Sequence, residues 1–236
     1  MFQAMPFSRV VQVFIIFLGG GTFFLILSFL VLRKNHHRLN FTMCGFFVFI
    51  FLGGLFNAIY ALLTTHVDES TVVALHIITY IFFCLAQIFL LMFNLILWKS
   101  EKVITLKKQL IILSVYSALL FLLFFIPDGV RINENTYYRP QWNLQFFIYA
   151  NVVWIGFAMI PTMYTSLKLH KAFEDSKIKK RWKIYMIGTI MIYIELFGVG
   201  VMILINDPFL RLLWNIYDVS VLIGALFIYY GVVRQL

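Results

Sequence analysis

Seven stretches of nearly unbroken apolar residues dominate this chain, at roughly 10–32, 41–64, 71–98, 110–126, 144–167, 184–205 and 212–233. A helix rising about 1.5 Å per residue needs about 20 such residues to cross about 30 Å of hydrocarbon. The runs are continuous rather than alternating, so they read as helices and not as barrel strands. The chain is therefore expected to be an all-α membrane protein, a single seven-transmembrane-helix bundle over residues 1–236. Composition points the same way. Of the 236 residues, 62% are hydrophobic and 12% charged, against about 45–50% and about 25% in soluble domains. So much apolar surface needs lipid as part of its solvent.

The net charge of +9 would suggest nucleic acid in a soluble protein, but its placement gives another reading. The first, third and fifth polar breaks hold Arg33, Lys34 and Arg38; Lys99, Lys102, Lys107 and Lys108; and Lys168, Lys171, Lys177, Lys179, Lys180, Arg181 and Lys183. With Arg234 that side carries fifteen basic residues, whereas Arg9, Arg131, Arg139 and Arg211 are the four on the other. The positive-inside bias then predicts an N-terminus outside, a cytoplasmic C-terminus, and a basic surface against anionic lipid heads. No nucleic-acid partner is implied.

Polar residues at membrane depth carry the functional information, because each needs a partner there. On the third run, His76, Tyr80, Cys84, Gln87, Asn94 and Trp98 share one helical face. Such a stripe either fixes packing by interhelical hydrogen bonds or walls a ligand cavity. Glu195 sits near the middle of the sixth run, on a face with Gly188, Gly198 and Met202. A charged acid there costs on the order of 2.5–3.5 kcal/mol, so it finds a donor or stays protonated. Asp218 lies about two turns into the seventh run, with Asn215 above it. Asn151, Trp154 and Ala158 form a face on the fifth, where Pro161 predicts a kink, and Asn57, Tyr60 and Thr64 form one on the second. The expected ligand-binding set is Asn57, Tyr60, His76, Tyr80, Asn151, Trp154 and Asp218 in the outer half, with Gln87 and Glu195 as the floor. Separate polar contacts that never converge are the alternative.

Catalytic chemistry finds little footing. His66, Asp68, Glu69 and His76 could gather at the outer surface, but no HxxH or HxxxH spacing supports a metal there. There is no nucleophile elbow, CxxC, phosphate loop or carboxylate pair on one helix. Cys44 and Cys84 lie inside apolar runs, which indicates neither a disulfide framework nor a zinc knuckle. Neither an enzyme, a metal nor a cofactor is expected. Gly19-Gly20-Gly21 and Gly53-Gly54, inside the first two runs, suit close helix packing.

Among seven-helix families, microbial rhodopsins need a lysine in the last helix, and none lies between Leu212 and Val233. Class A G-protein-coupled receptors end the third helix in Asp-Arg-Tyr, where this chain reads Leu97-Trp98-Lys99-Ser100-Glu101. Three other places carry a resemblance. They are Leu32-Arg33-Lys34-Asn35 with Arg38-Leu39-Asn40, Lys179-Lys180-Arg181-Trp182-Lys183 leading to Gly188, and the segment from Ile223 to Arg234. In these the chain resembles the N-terminal seven-transmembrane sensor region of prokaryotic histidine kinases and related signalling proteins. The resemblance implies a sensor whose last helix continues into a cytoplasmic output domain. The sequence ends at Gln235-Leu236, so truncation or action through a partner is expected.

The functional expectation is a receptor-like sensor in the cell membrane. A small molecule from outside would enter a cavity, and the basic cytoplasmic surface would signal to a cytoplasmic partner. The alternatives are an accessory subunit with a membrane-complex partner, and a proton-coupled transporter using Glu195.

Overall fold

The computed structural model describes residues 10–34 and 36–233; Arg9, Asn35, Arg234, Gln235 and Leu236 lie outside the described residues. Seven helices in it are long and apolar enough to cross a membrane, the pattern of a multi-pass membrane protein. They are α1 Gln12–Lys34, α2 Arg38–Leu63, α3 Glu69–Lys99, α4 Leu106–Phe125, α5 Leu144–Ala172, α6 Ser176–Ile205 and α7 Pro208–Val232.

Several helices reach further than the apolar runs because polar caps, not hydropathy, set their starts. Asp68 accepts from Thr71 N at 3.0 Å, Thr105 from Lys108 N at 3.4 Å and Asn143 from Phe146 N at 2.7 Å. Asp175 and Asp207 each take two backbone N–H groups of the turn that follows. Each cap meets donors that a helix start leaves orphaned. Asp175 thereby begins α6 eight residues before the apolar run at 184, through lysines and an arginine that favour helix.

Helix α3 is the axis of the bundle and packs on α2, α4 and α5, while α1 lies on α2 and α6 on α7. Burial separates the centre from the edge: 61% of the most apolar window of α3 is inside, against 17% for α4. The exposed Leu110, Ile111, Val115, Phe121 and Phe125 of α4 form a surface suited to lipid. Small residues set two close crossings. A Cβ on Gly188 of α6 would stand 2.5 Å from the carbonyl oxygen of Gly224 on α7, and one on Gly54 of α2 2.5 Å from that of Phe17 on α1. Gly54, and Gly53 against the Phe83 ring of α3, are therefore packing devices. In α5 a π-helical turn, Ile155–Met159, directly precedes Pro161, whose ring and missing N–H disturb a regular helix at that point.

The α4–α5 connection, which reads in sequence as a plain polar break, is folded. Strands β1 (Val130–Arg131) and β2 (Gln141–Trp142) pair antiparallel, with Val130 opposite Trp142 and Arg131 opposite Gln141. Between them Asn133 and Thr136 close a capping box around a short 3₁₀ turn. Glu69, at the head of α3, accepts from Ile132 N and Asn133 Nδ2, both at 3.1 Å, and ties the ribbon to the bundle. Trp142 is thereby carried inward, to 3% exposure.

Candidate functional site: a cavity between α1, α2, α3, α6 and α7

A cavity of about 160 Å³ runs from the ribbon and the start of α7 into the bundle. That is room for several waters, or for a molecule of roughly benzene's bulk. Arg139, Pro140, Pro208 and Arg211 line it at the ribbon end, and Phe24, Ile50 and Gln87 deeper in the bundle. At about 1.5 Å per residue, Glu195 lies about 15 Å from the end of α6, and Asp218 about 15 Å from the start of α7. The two acids are thus level with each other, near mid-depth of a bilayer.

Seven of the nine expected residues line this space: Asn57, Tyr60, His76, Tyr80, Gln87, Glu195 and Asp218. Asn151 and Trp154 do not. Helix α5 packs on the other side of α3, away from the cavity, so its polar face is used internally. Asn151 Nδ2 donates to Phe147 O of its own helix at 2.8 Å. Trp154 is fully buried edge-on against Tyr193, with ring centroids 5.7 Å apart. The α3 stripe likewise divides. His76, Tyr80 and Gln87 face the cavity, whereas Asn94, about two turns beyond Gln87, is taken up by α5 and α6. His66, Asp68, Glu69 and His76 do not gather. Asp68 caps α3, Glu69 holds the ribbon and His76 is bound to Trp142. Among the described residues no group of three or more His, Cys, Asp or Glu side chains is placed to hold a metal.

Near the ribbon end an aromatic cluster fixes the wall. Trp142 Nε1 donates to His76 Nε2 at 2.9 Å. An indole N–H only donates, so His76 accepts there and carries its own ring proton on Nδ1. Tyr60 meets the His76 ring edge-on at 5.4 Å, and Tyr80 meets the Trp142 ring edge-on at 5.1 Å. Arg211 closes the top. Its Nη2 donates to Pro140 O at 2.7 Å and its Nε to Met202 O at 3.2 Å, joining α7, the ribbon and the end of α6.

Deeper in, the polar groups are not paired off. Glu195 lies against Asp218 and the Trp214 indole, and Asp218 against Gln12. No donor among the described residues closes a hydrogen bond on either acid. All four carboxyl oxygens, with Asn57 Oδ1, Gln87 Oε1 and Trp214 Nε1, lack a hydrogen-bond partner among the described residues. Both acids are nevertheless interior, Glu195 at 7% and Asp218 at 1% exposure. Buried polar atoms are rarely left so, and a cluster of them around a void is a place for water or a ligand.

Sequence reasoning missed Gln12, Trp142, Arg211 and Trp214. Trp214 had a signal, standing one helical turn before Asp218 on the same face. Trp142 had none, because its place depends on a ribbon that hydropathy does not report. Comparison of the chain with models of protein families, with curated proteins and with solved structures finds no match in any of the three.

Proposed function

We propose that this protein is a receptor-like sensor of the cell membrane, with its N-terminus outside and its C-terminus in the cytoplasm. A small molecule entering from outside occupies the cavity and alters the packing of α3, α6 and α7. The observation that carries this reading is convergence. Asn57, Gln87, Glu195 and Asp218, from α2, α3, α6 and α7, meet around one void with side-chain oxygens that lack a hydrogen-bond partner among the described residues. The basic residues support the orientation, since most of them lie on the helix ends that flank the α1–α2, α3–α4 and α5–α6 connections.

A path for the signal is built into two helices. Helix α3 carries Gln87 at the cavity and Asn94 below it; α6 carries Glu195 at the cavity and Tyr185 below it. The Tyr185 hydroxyl donates to Asn94 Oδ1 at 2.9 Å, so a shift of α6 against α3 is felt at that bond. Ten residues further toward the start of α6 lies Asp175, the cap of its basic end.

The test uses protein in sealed vesicles with a fluorophore on Glu174→Cys, in the exposed α5–α6 connection. Compounds are added outside, while emission from the cavity tryptophans Trp142 and Trp214 is followed together with the label. The expected result is a saturable tryptophan change accompanied by a label change, the tryptophan part shrinking in Trp214→Phe. Ligand binding that never moves the label refutes signalling. Accumulation of the compound inside the vesicles favours a carrier, the reading that the two unpartnered mid-depth acids would otherwise support.

A further inference from the structure

We infer that the cavity recognises a primary ammonium group on a small apolar body, held between Glu195 and Asp218. This rests on the proposed ligand-binding role of the cavity and names the class of ligand.

The inference follows from donor and acceptor chemistry. The buried cavity atoms without a partner among the described residues include six acceptors, the four carboxyl oxygens, Asn57 Oδ1 and Gln87 Oε1, and the donor Trp214 Nε1. An acceptor-rich site is completed by a group that only donates. A primary ammonium has three N–H donors and no acceptor, and it brings the positive charge that two neighbouring carboxylates lack.

Among the described residues no cation is placed on the two acids. Arg211 sits two turns above Asp218, about 10 Å away along α7, and is committed to the carbonyls of Pro140, Met202 and Ile203. Arg139 lines the ribbon end. The surrounding wall suits the rest of such a molecule. Phe17, Phe24, Phe83, Val221 and Leu222 are apolar, and the Trp214 indole stands beside Glu195. The volume admits a body of roughly benzene's bulk.

The test measures binding to the full chain in lipid nanodiscs by calorimetry at neutral pH, with three probes of like shape: benzylamine, benzyl alcohol and benzoate. Benzylamine is expected to bind tightest, with benzoate weakest. Glu195→Gln and Asp218→Asn, both close in shape, are each expected to weaken benzylamine on the order of tenfold or more, as loss of a hydrogen bond to a charged group does. Benzyl alcohol should change far less, which also shows that the variants are folded. If either variant fails to fold, the ranking of the three probes on the unaltered protein decides. Equal binding of the amine and the alcohol, with no effect of either substitution, overturns the ammonium reading and leaves the cavity a site for neutral molecules or water. No saturable binding of any of the three overturns the ammonium reading and also counts against the ligand-binding role.

Discussion

Asn94 offers a test of how the lower half of the bundle is held. Its side chain is fully buried. Its Nδ2 has Ser166 Oγ at 2.7 Å, Thr162 O at 3.1 Å and Thr165 Oγ1 at 3.3 Å within reach, and its Oδ1 accepts from Tyr185. An amide has two N–H groups, so two of the three acceptors are satisfied at once. Asn94 therefore makes three good interhelical bonds, two to α5 and one to α6. Such bonds average about 0.6 kcal/mol in membrane proteins, with a maximum of about 1.7 kcal/mol. Asn94→Leu keeps the bulk and removes all three, so a loss of about 2 kcal/mol is expected. Tyr185→Phe removes one and should cost about 0.6 kcal/mol. The double variant isolates the Tyr185–Asn94 term, expected near 0.6 kcal/mol as a coupling energy. Reversible unfolding in bicelles, followed by near-ultraviolet circular dichroism, reads all four proteins. A coupling indistinguishable from zero, or an Asn94→Leu loss as small as that of Tyr185→Phe, refutes the arrangement of bonds.

Two further predictions follow from the other half of the molecule. Trp142→Phe keeps a ring in the wall but removes the donor to His76 Nε2; it should cost about 1 kcal/mol, and histidine NMR should show His76 losing its fixed tautomer. The carboxylate of Asp68, capping α3 outside the apolar span, accepts from Ser70, from the Thr71 hydroxyl at 2.8 Å and from Thr71 N at 3.0 Å. These bonds lower its pKa from 3.8 to about 2. A depressed folded pKa means that the cap's contribution is fully present above the unfolded value and lost as pH falls toward the folded one. The stability difference between the unaltered protein and Asp68→Ala should therefore be constant above about pH 5 and shrink between about pH 4 and about pH 2; a difference that persists unchanged at the acid end contradicts the capping role.

Hydropathy made the helices legible because each apolar run must be long enough to span hydrocarbon, a requirement every run meets separately. It reported the starts less well. Asp175, for example, recruits a charged stretch into α6 that no apolar criterion would include. The candidate site was legible residue by residue but not as a set. Glu195, Asp218 and Gln87 were identified because each is polar at depth, a property of one residue in its own helix. Asn151 has the same property yet bonds back to Phe147, which depends on the side of α3 that α5 occupies.

What the sequence determined by itself is therefore local: seven spans, their alternating basic connections, and the depth of each polar side chain. Tertiary structure alone decided which of those side chains meet. It brought Glu195 against Asp218, seated Trp142 on His76 through a ribbon anchored by Glu69, and left a void beside the two acids. The physical reason is that depth follows from the rise of a single helix, whereas contact follows from the rotation and crossing of two. Those are fixed by small packing residues such as Gly188 and Gly224, whose meaning appears only when the helices are brought together.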